Sequence, residues 1–279
     1  MRSMDACTAI DGGQPPMDPI APCQAVSGTH VVIIPSFNSG RLLSATVVAA
    51  RLNWAPVWVV IDGSNDESVA DAESLAKRDP AIRLLHLPQN RGKGAAVLAG
   101  LIAAQASGFT HALVMDADAQ HPADHIPLFM ATSANNPRAL IMGRPLFGDD
   151  APWVRVVGRR LSNWCAKAET FCPVGDTLFG FRVYPVDALL AAMHASRGMR
   201  RFDFDPEAVV RLAWSGVPLI HLDTPVRYLS REDGGISHFN YLRDNWLLIR
   251  MHLRLSLTAI GRTAHLVIAN FKAFATHSD

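Results

Sequence analysis

Ala112-Leu113-Val114-Met115-Asp116-Ala117-Asp118-Ala119-Gln120-His121-Pro122 is the stretch on which the reading of this chain turns. Four apolar residues read as a short buried strand, and the run breaks directly into two carboxylates set two residues apart. Carboxylates so placed can share a hard divalent cation. Oxygen ligands suit Mg2+ or Mn2+, and such ions keep positions open for substrate phosphates. In the competing reading one Asp caps the following helix and the other is solvated. The strand before the pair, and the groups that end the other strands, favour the metal.

Upstream the same pattern recurs three times. His30-Val31-Val32-Ile33-Ile34 is a β-branched run that stops at Pro35. A turn over residues 36–40 and a predicted helix over 41–53 follow it. Residues 57–61 form a second predicted strand, closed by Asp62-Gly63-Ser64-Asn65-Asp66, with a helix over 67–78. A third strand covers 82–87; a loop then leads to an Ala-rich helix over 95–107. Strands alternating with helices predict an α/β fold with a parallel sheet. Ligands in such sheets sit beyond the carboxyl ends of the strands. Here those ends carry Asn38, Asp62, residues 90–93, Asp116 and Asp118, so the chemistry is expected along one edge.

Downstream the pattern is less regular. A basic loop over 144–160 leads to a helix, and Gly175-Asp176-Thr177-Leu178-Phe179-Gly180-Phe181-Arg182 follows. Helices are predicted near 186–195 and over 202–215, with a strand over 217–222. From Tyr241 the text is helical, with Leu247, Leu248, Met251, Leu255 and Leu257 interleaved with Arg243, Arg250, Arg254 and Arg262. Only Asp244 and Asp279 are acidic there. This helix suits three placements: a membrane interface, the core of the domain, or a homodimer contact.

The chain of 279 residues is 49% hydrophobic and 18% charged, enough for a sizeable core. A net charge of +1 gives no global case for a nucleic-acid partner. Cys7, Cys23, Cys165 and Cys172 lack the spacing of a zinc site or a disulfide framework, so a reducing cytoplasm is the default. Residues 1–29 are polar and rich in Pro and Gly, without the apolar core of a signal peptide, and read as a disordered leader. No apolar run reaches ~18 residues, so no membrane span is expected. The organisation read from the sequence is a leader over 1–29, one domain over 30–240 and a basic amphipathic tail over 241–279.

Several single residues have two readings. Lys93, in Asn90-Arg91-Gly92-Lys93-Gly94, can meet phosphate charge at a helix start, or belong to an ordinary basic turn; this is no Walker A loop. Asp62 can accept hydrogen bonds from a base or ribose, or cap a turn. The loop bearing Arg144 and Arg155 mixes cations with large apolar residues, which suits an anionic head group on a greasy chain or a solvated basic face. Asp176 is a candidate base or a structural partner of Arg182. His121 and His125 read as surface histidines.

Five motifs stand in order: Ile34-Pro35-Ser36-Phe37-Asn38, Asp62-Gly63-Ser64-Asn65-Asp66, Asn90-Arg91-Gly92-Lys93-Gly94, residues 116–122, and Asp176 to Arg182. Together they resemble family 2 glycosyltransferases of the GT-A fold, particularly the dolichyl-phosphate mannose synthase-like branch, over about residues 30–254. The resemblance implies a nucleotide-sugar-binding sheet flanked by helices. It also implies metal-dependent, inverting transfer of a sugar from a UDP- or GDP-sugar to a lipid-linked acceptor such as a polyprenyl phosphate. Pro35, Phe37, Asn38 and Asp62 would frame base and ribose, and Lys93 would support the nucleotide. Asp116, Asp118 and Gln120 would hold the metal and donor diphosphate, with Asp118, Asp176 and Arg182 as catalytic residues. Arg144, Arg155 and Arg182 would face the acceptor or leaving phosphate, and Arg231 and His238 would belong to an acceptor loop.

The implied place is cytoplasmic, peripheral at the inner face of a membrane. Residues 237–252 are also similar to glycosyltransferases linked to bacterial aryl-polyene pigment lipids. One departure stands out: many members carry paired acids before Gly-Ser, whereas Ile61 precedes Asp62 here, which removes a base contact. A scaffold that binds the nucleotide sugar without catalysis is one alternative. A nucleotidyltransferase is another, disfavoured because residues 35–40 lack a Gly-rich loop with arginine.

Overall fold

The structure, a computed structural model, describes residues 26–146, 153–226 and 241–275, with side chains described except at 153–157, 241 and 263–275. Residues 1–25 of the expected leader and the acceptor-loop residues Arg231 and His238 lie outside the described residues, and so does the side chain of Arg155.

The chain alternates β1 (His30–Ser36), α1 (Arg41–Asn53), β2 (Val57–Asp62), α2 (Ser68–Arg78), β3 (Ile82–Leu87), α3 (Lys93–Ala106) and β4 (His111–Val114). It continues through α4 (Ile126–Asn135), β5 (Leu140–Leu146), α5 (Trp153–Thr170), β6 (Arg182–Pro185), α6 (Val186–His194), α7 (Phe204–Trp214), β7 (Leu219–Pro225) and α8 (Tyr241–Ala275). The seven described strands form one sheet in the order β3-β2-β1-β4-β6-β5-β7. All neighbouring pairs are parallel except those of β6, which runs antiparallel to both β4 and β5.

The β-branched runs form strands because both faces of the sheet are covered. Alternate residues of β1 point to opposite sides. Val31 and Ile33 pack under α3, α6 and α7, while Val32 and Ile34 pack with apolar residues of α1, α2 and α4. Gly100 of α3 sits so close to β1 that a Cβ there would lie 2.8 Å from Ile33. The expected α/β sheet flanked by helices is thus observed, with the first four strands within a residue or two of their predicted bounds.

Three elements differ from expectation. The basic loop over 144–160 is divided: β5 runs to Leu146, and α5 already begins at Trp153. α4 and the four-residue β6 carry no separate signal in the sequence reading. β6 matters most, because Arg182 pairs with Val114 at the carboxyl end of β4 and so brings residues 176–181 beside Asp116.

Candidate active site

Two loop contacts build the edge at β1 and β2. Asn38, in the left-handed region at φ 44°, donates its amide to Ser64 Oγ (3.0 Å), and its Oδ1 accepts from the Asn65 amide (2.9 Å). Asp62 is 2% exposed, and its two carboxylate oxygens accept from the amides of Arg91 (2.8 Å) and Gly92 (2.7 Å). Asp62 therefore holds the loop that presents Lys93. A Cβ at Gly63, where φ is +68°, would lie 2.3 Å from the Asn90 amide, so only glycine lets the two loops meet.

Lys93 opens α3, and its Nζ lies between two carboxylates, 2.6 Å from Asp116 Oδ1 and 2.7 Å from Asp205 Oδ2. Burial works against its charge, yet Asp116 and Asp205 outweigh burial and hold its pKa above the ordinary lysine value. For Asp116, burial raises the carboxyl pKa, but the Lys93 charge wins and keeps it ionised below its usual range. Asp118 is placed differently. Burial, and then the charge of Asp116, raise its pKa to about 6. Its Oδ1 accepts from the Gln120 amide (3.1 Å), which closes the tight turn through Ala119 (φ 57°). Thr46 of α1 pins that turn by accepting the Ala119 amide (3.1 Å).

His121 corrects the sequence reading. It is buried, not a surface histidine, and packs edge-on to Phe179 with ring centroids 4.8 Å apart. Its Nδ1 accepts the Asp116 amide (3.0 Å), and burial lowers its pKa to about 4, so it stands neutral beneath Asp116. Pro122 made the segment look like an exposed turn; the aromatic pair that buries it comes from a distant part of the chain.

Arg182 lies inside the fold. It is fully buried, and its Nη1 donates to the Asp205 carbonyl (2.7 Å) and the Tyr184 hydroxyl (3.2 Å), its Nη2 to the Asp176 carbonyl (3.3 Å). These bonds brace the site from behind. Asp176 likewise serves the scaffold. Its Oδ1 accepts from Arg159 Nη1 (2.6 Å) and from the amides of Leu178 (3.0 Å) and Phe179 (2.8 Å). Its carboxylate thus pairs with Arg159, whereas Arg182 meets only its backbone carbonyl. Arg144 is exposed and ion-paired with Asp223 across β5 and β7.

Asp205, in the first turn of α7, escaped the sequence reading. The text Phe202-Asp203-Phe204-Asp205-Pro206-Glu207 reads as an ordinary acidic helix start, and nothing local reveals that Lys93 is the partner. Gly180 also belongs here: a Cβ at that position would lie 2.6 Å from Lys93 Nζ and 3.1 Å from Asp116 Oδ2.

The donor set can be tested for a metal. Asp116, Asp118 and Gln120 offer oxygens, and Asp118 is a carboxylate whose charge is made costly by its surroundings, a cost that a bound cation relieves. Among the described residues no group of three His, Cys, Asp or Glu side chains converges on a metal position. An ion here would complete its shell with donor phosphate oxygens, the usual arrangement for Mg2+.

This mostly parallel sheet sets carboxylates and a fixed lysine at its carboxyl edge, where α/β sheets bind their ligands. Residues 31–189 match the family model described as Glycosyl transferase family 2, and the chain belongs to that family and is a glycosyltransferase. It is similar to the undecaprenyl-phosphate mannosyltransferase of Micrococcus luteus, 25% identical over 73% of this chain and 85% of that one. The polyprenol monophosphomannose synthase of Mycolicibacterium smegmatis is 26% identical over 73% of this chain and 78% of its own. These relatives lie in the dolichyl-phosphate mannose synthase-like branch. The fold matches glucosyl-3-phosphoglycerate synthase from Mycobacterium tuberculosis, solved with Mn2+ and UDP-glucose, at a TM-score of 0.57 over 84% of this chain and 79% of that one, with 15% identity.

Proposed function

We propose that this glycosyltransferase moves a sugar from a UDP- or GDP-sugar to a lipid-linked acceptor, a polyprenyl phosphate, with inversion at the anomeric carbon. The observation that carries the reading is the Lys93–Asp116–Asp118 cluster at the strand edge, in a chain whose relatives use polyprenol-type acceptors. The proposed place of action is the cytoplasmic face of a membrane, reached peripherally; no described helix is long and apolar enough to cross one.

Departure of the nucleoside diphosphate leaves negative charge on its phosphates while the anomeric carbon becomes cation-like. A divalent ion on Asp118, Gln120 and Asp116 would supply Lewis-acid charge to that leaving group. Lys93 adds a fixed positive charge in a desolvated position, where it costs no reorganisation during reaction. Asp205 keeps Lys93 charged and in place. Pro35, Phe37, Asn38 and the Asp62 loop are assigned to the base and ribose. An acceptor phosphate has a second pKa of ~6, is largely ionised near neutral pH and needs no general base. That removes the demand on Asp176, whose carboxylate is engaged elsewhere. Arg144, Arg155, Arg231 and His238 are assigned to the acceptor side.

The test is transfer of radiolabelled sugar to a short-chain polyprenyl phosphate in detergent, with Mn2+ or with chelator. Metal-dependent incorporation supports the reading; hydrolysis of the donor at the same rate without acceptor sinks it.

A further inference from the structure

α8 is apolar on two opposite sides. Met251, Leu255 and Ala259 are buried against the domain. Facing away from them stand Leu242, Trp246, Ile249, Leu253, Leu257 and Ile260, all between 53% and 88% exposed. Their spacing of three and four residues places them on one stripe, more than four helical turns long. Hydrogen bonds from α5 hold α8 alongside: Ser162 Oγ meets His252 Nε2 (3.0 Å), and Glu169 Oε1 meets His252 Nδ1 (3.0 Å) and Ser256 Oγ (3.2 Å). α5 carries exposed apolar residues of its own, Leu161 and Trp164, with Phe171 just past its end. Large apolar residues scattered singly on a surface need no explanation, whereas a stripe of this length marks an interaction surface.

Charge selects the occupant. On α8 Arg250 is exposed, while Arg243 is ion-paired with Asp244 and Arg262 donates to the Trp214 carbonyl (3.0 Å); Arg160 and Lys167 are exposed on α5. The described acids of the two helices, Glu169 and Asp244, are buried. Self-association through this face would bring cations toward cations. An anionic lipid surface complements them, and tryptophan with basic flanks suits the headgroup boundary.

We infer that the outer face of α8, extended by Leu161 and Trp164 of α5, docks the protein onto an anionic lipid surface. This rests on the reading of the acceptor as membrane-borne, and names the surface that brings the site to it. The apolar stripe enters the acyl boundary while Arg250 meets headgroup phosphates.

The experiment is co-sedimentation of the full chain with phosphatidylcholine vesicles, with and without phosphatidylglycerol, in the absence of donor. Binding is expected only with the anionic lipid, and weaker at high salt. The double substitution Trp246→Glu with Leu253→Glu is expected to lower partitioning by on the order of tenfold or more, and Arg250→Glu by several-fold, about fivefold for each cation removed. Both variants should keep the wild-type melting temperature and transfer to a short acceptor in detergent. Binding that ignores these substitutions overturns the inference. A dimer in light scattering that the double variant breaks assigns the face to a second copy and overturns it too. A marked fall in melting temperature assigns the face to another part of this chain, with the same consequence. A protein that transfers in detergent but ignores vesicles overturns this surface alone; one that binds vesicles but transfers nothing overturns the function alone.

Discussion

Asp205 holds Lys93 from the far side: its Oδ2 lies 2.7 Å from the ammonium that also contacts Asp116. The lysine is therefore positioned by α7, an element more than a hundred residues downstream. Lys93→Met should lower kcat/KM by about 10²–10³-fold, the scale of losing one preorganised charge stabiliser. Asp205→Asn should cost about tenfold, with Asp205→Glu recovering part of it. Steady-state kinetics on both, beside thermal melts, check the order; equal losses from the two would remove the positioning role.

Gly180→Ala tests the same pocket sterically. The new Cβ would stand 2.6 Å from Lys93 Nζ and 3.1 Å from Asp116 Oδ2, so the flexible lysine must yield. Donor affinity should fall several-fold while the fold persists, because the displaced atoms are side-chain tips. Isothermal titration with donor analogue reads this directly, and unchanged affinity would argue against Lys93 at the donor.

Asp118 gives a pH signature. Its folded pKa of about 6 lies above the unfolded value, so its stabilising contribution is present at low pH and lost as pH rises through 6. In chelator, Asp118→Asn should therefore be more stable than wild type above pH 6, by up to about 2–3 kcal/mol. Below pH 4 the two should converge. The same variant should abolish transfer, so stability and activity part company; chemical denaturation at pH 5 and pH 7.5 measures the first.

Metal affinity should follow the same group. A proton on Asp118 competes with the cation, so affinity should weaken as pH falls below about 6, approaching tenfold per unit. Mn2+ titration followed by electron paramagnetic resonance at several pH values checks it. A flat profile would place the ion elsewhere.

Much of this was legible in the text. The four parallel strands and the helix over Arg41–Asn53 follow from apolar runs ended by turn residues, which are local signals. β5 was not, because Gly143, Arg144 and Pro145 disguise its second half as a loop, and sheet pairing with β7 overrides them. The antiparallel β6 has only four residues, and its direction is set by non-local pairing. In the site, Asp116, Asp118 and Lys93 were found because each sits at an element end. Arg182 and Asp176 were found as positions, but their burial and backbone partners, which decide what a charged side chain can do, were not legible. Asp205 and the buried state of His121 depend on contacts across the fold.

Arg182 follows from that distinction. Arg182→Lys should lower stability by at least about 2 kcal/mol, because carbonyls of Asp205 and Asp176 lose buried donors. Denaturant melts measure this. A large kinetic defect with wild-type stability would restore a direct role at the phosphate.

The most direct test of the central claim is nucleoside diphosphate release by purified protein, across a panel of UDP- and GDP-sugars, with and without membrane-lipid extract, in Mn2+ or Mg2+ and in chelator. Release that needs both the ion and the extract, with sugar appearing in the lipid fraction, is what the account predicts. Release that persists in chelator, or proceeds equally without lipid, would contradict it.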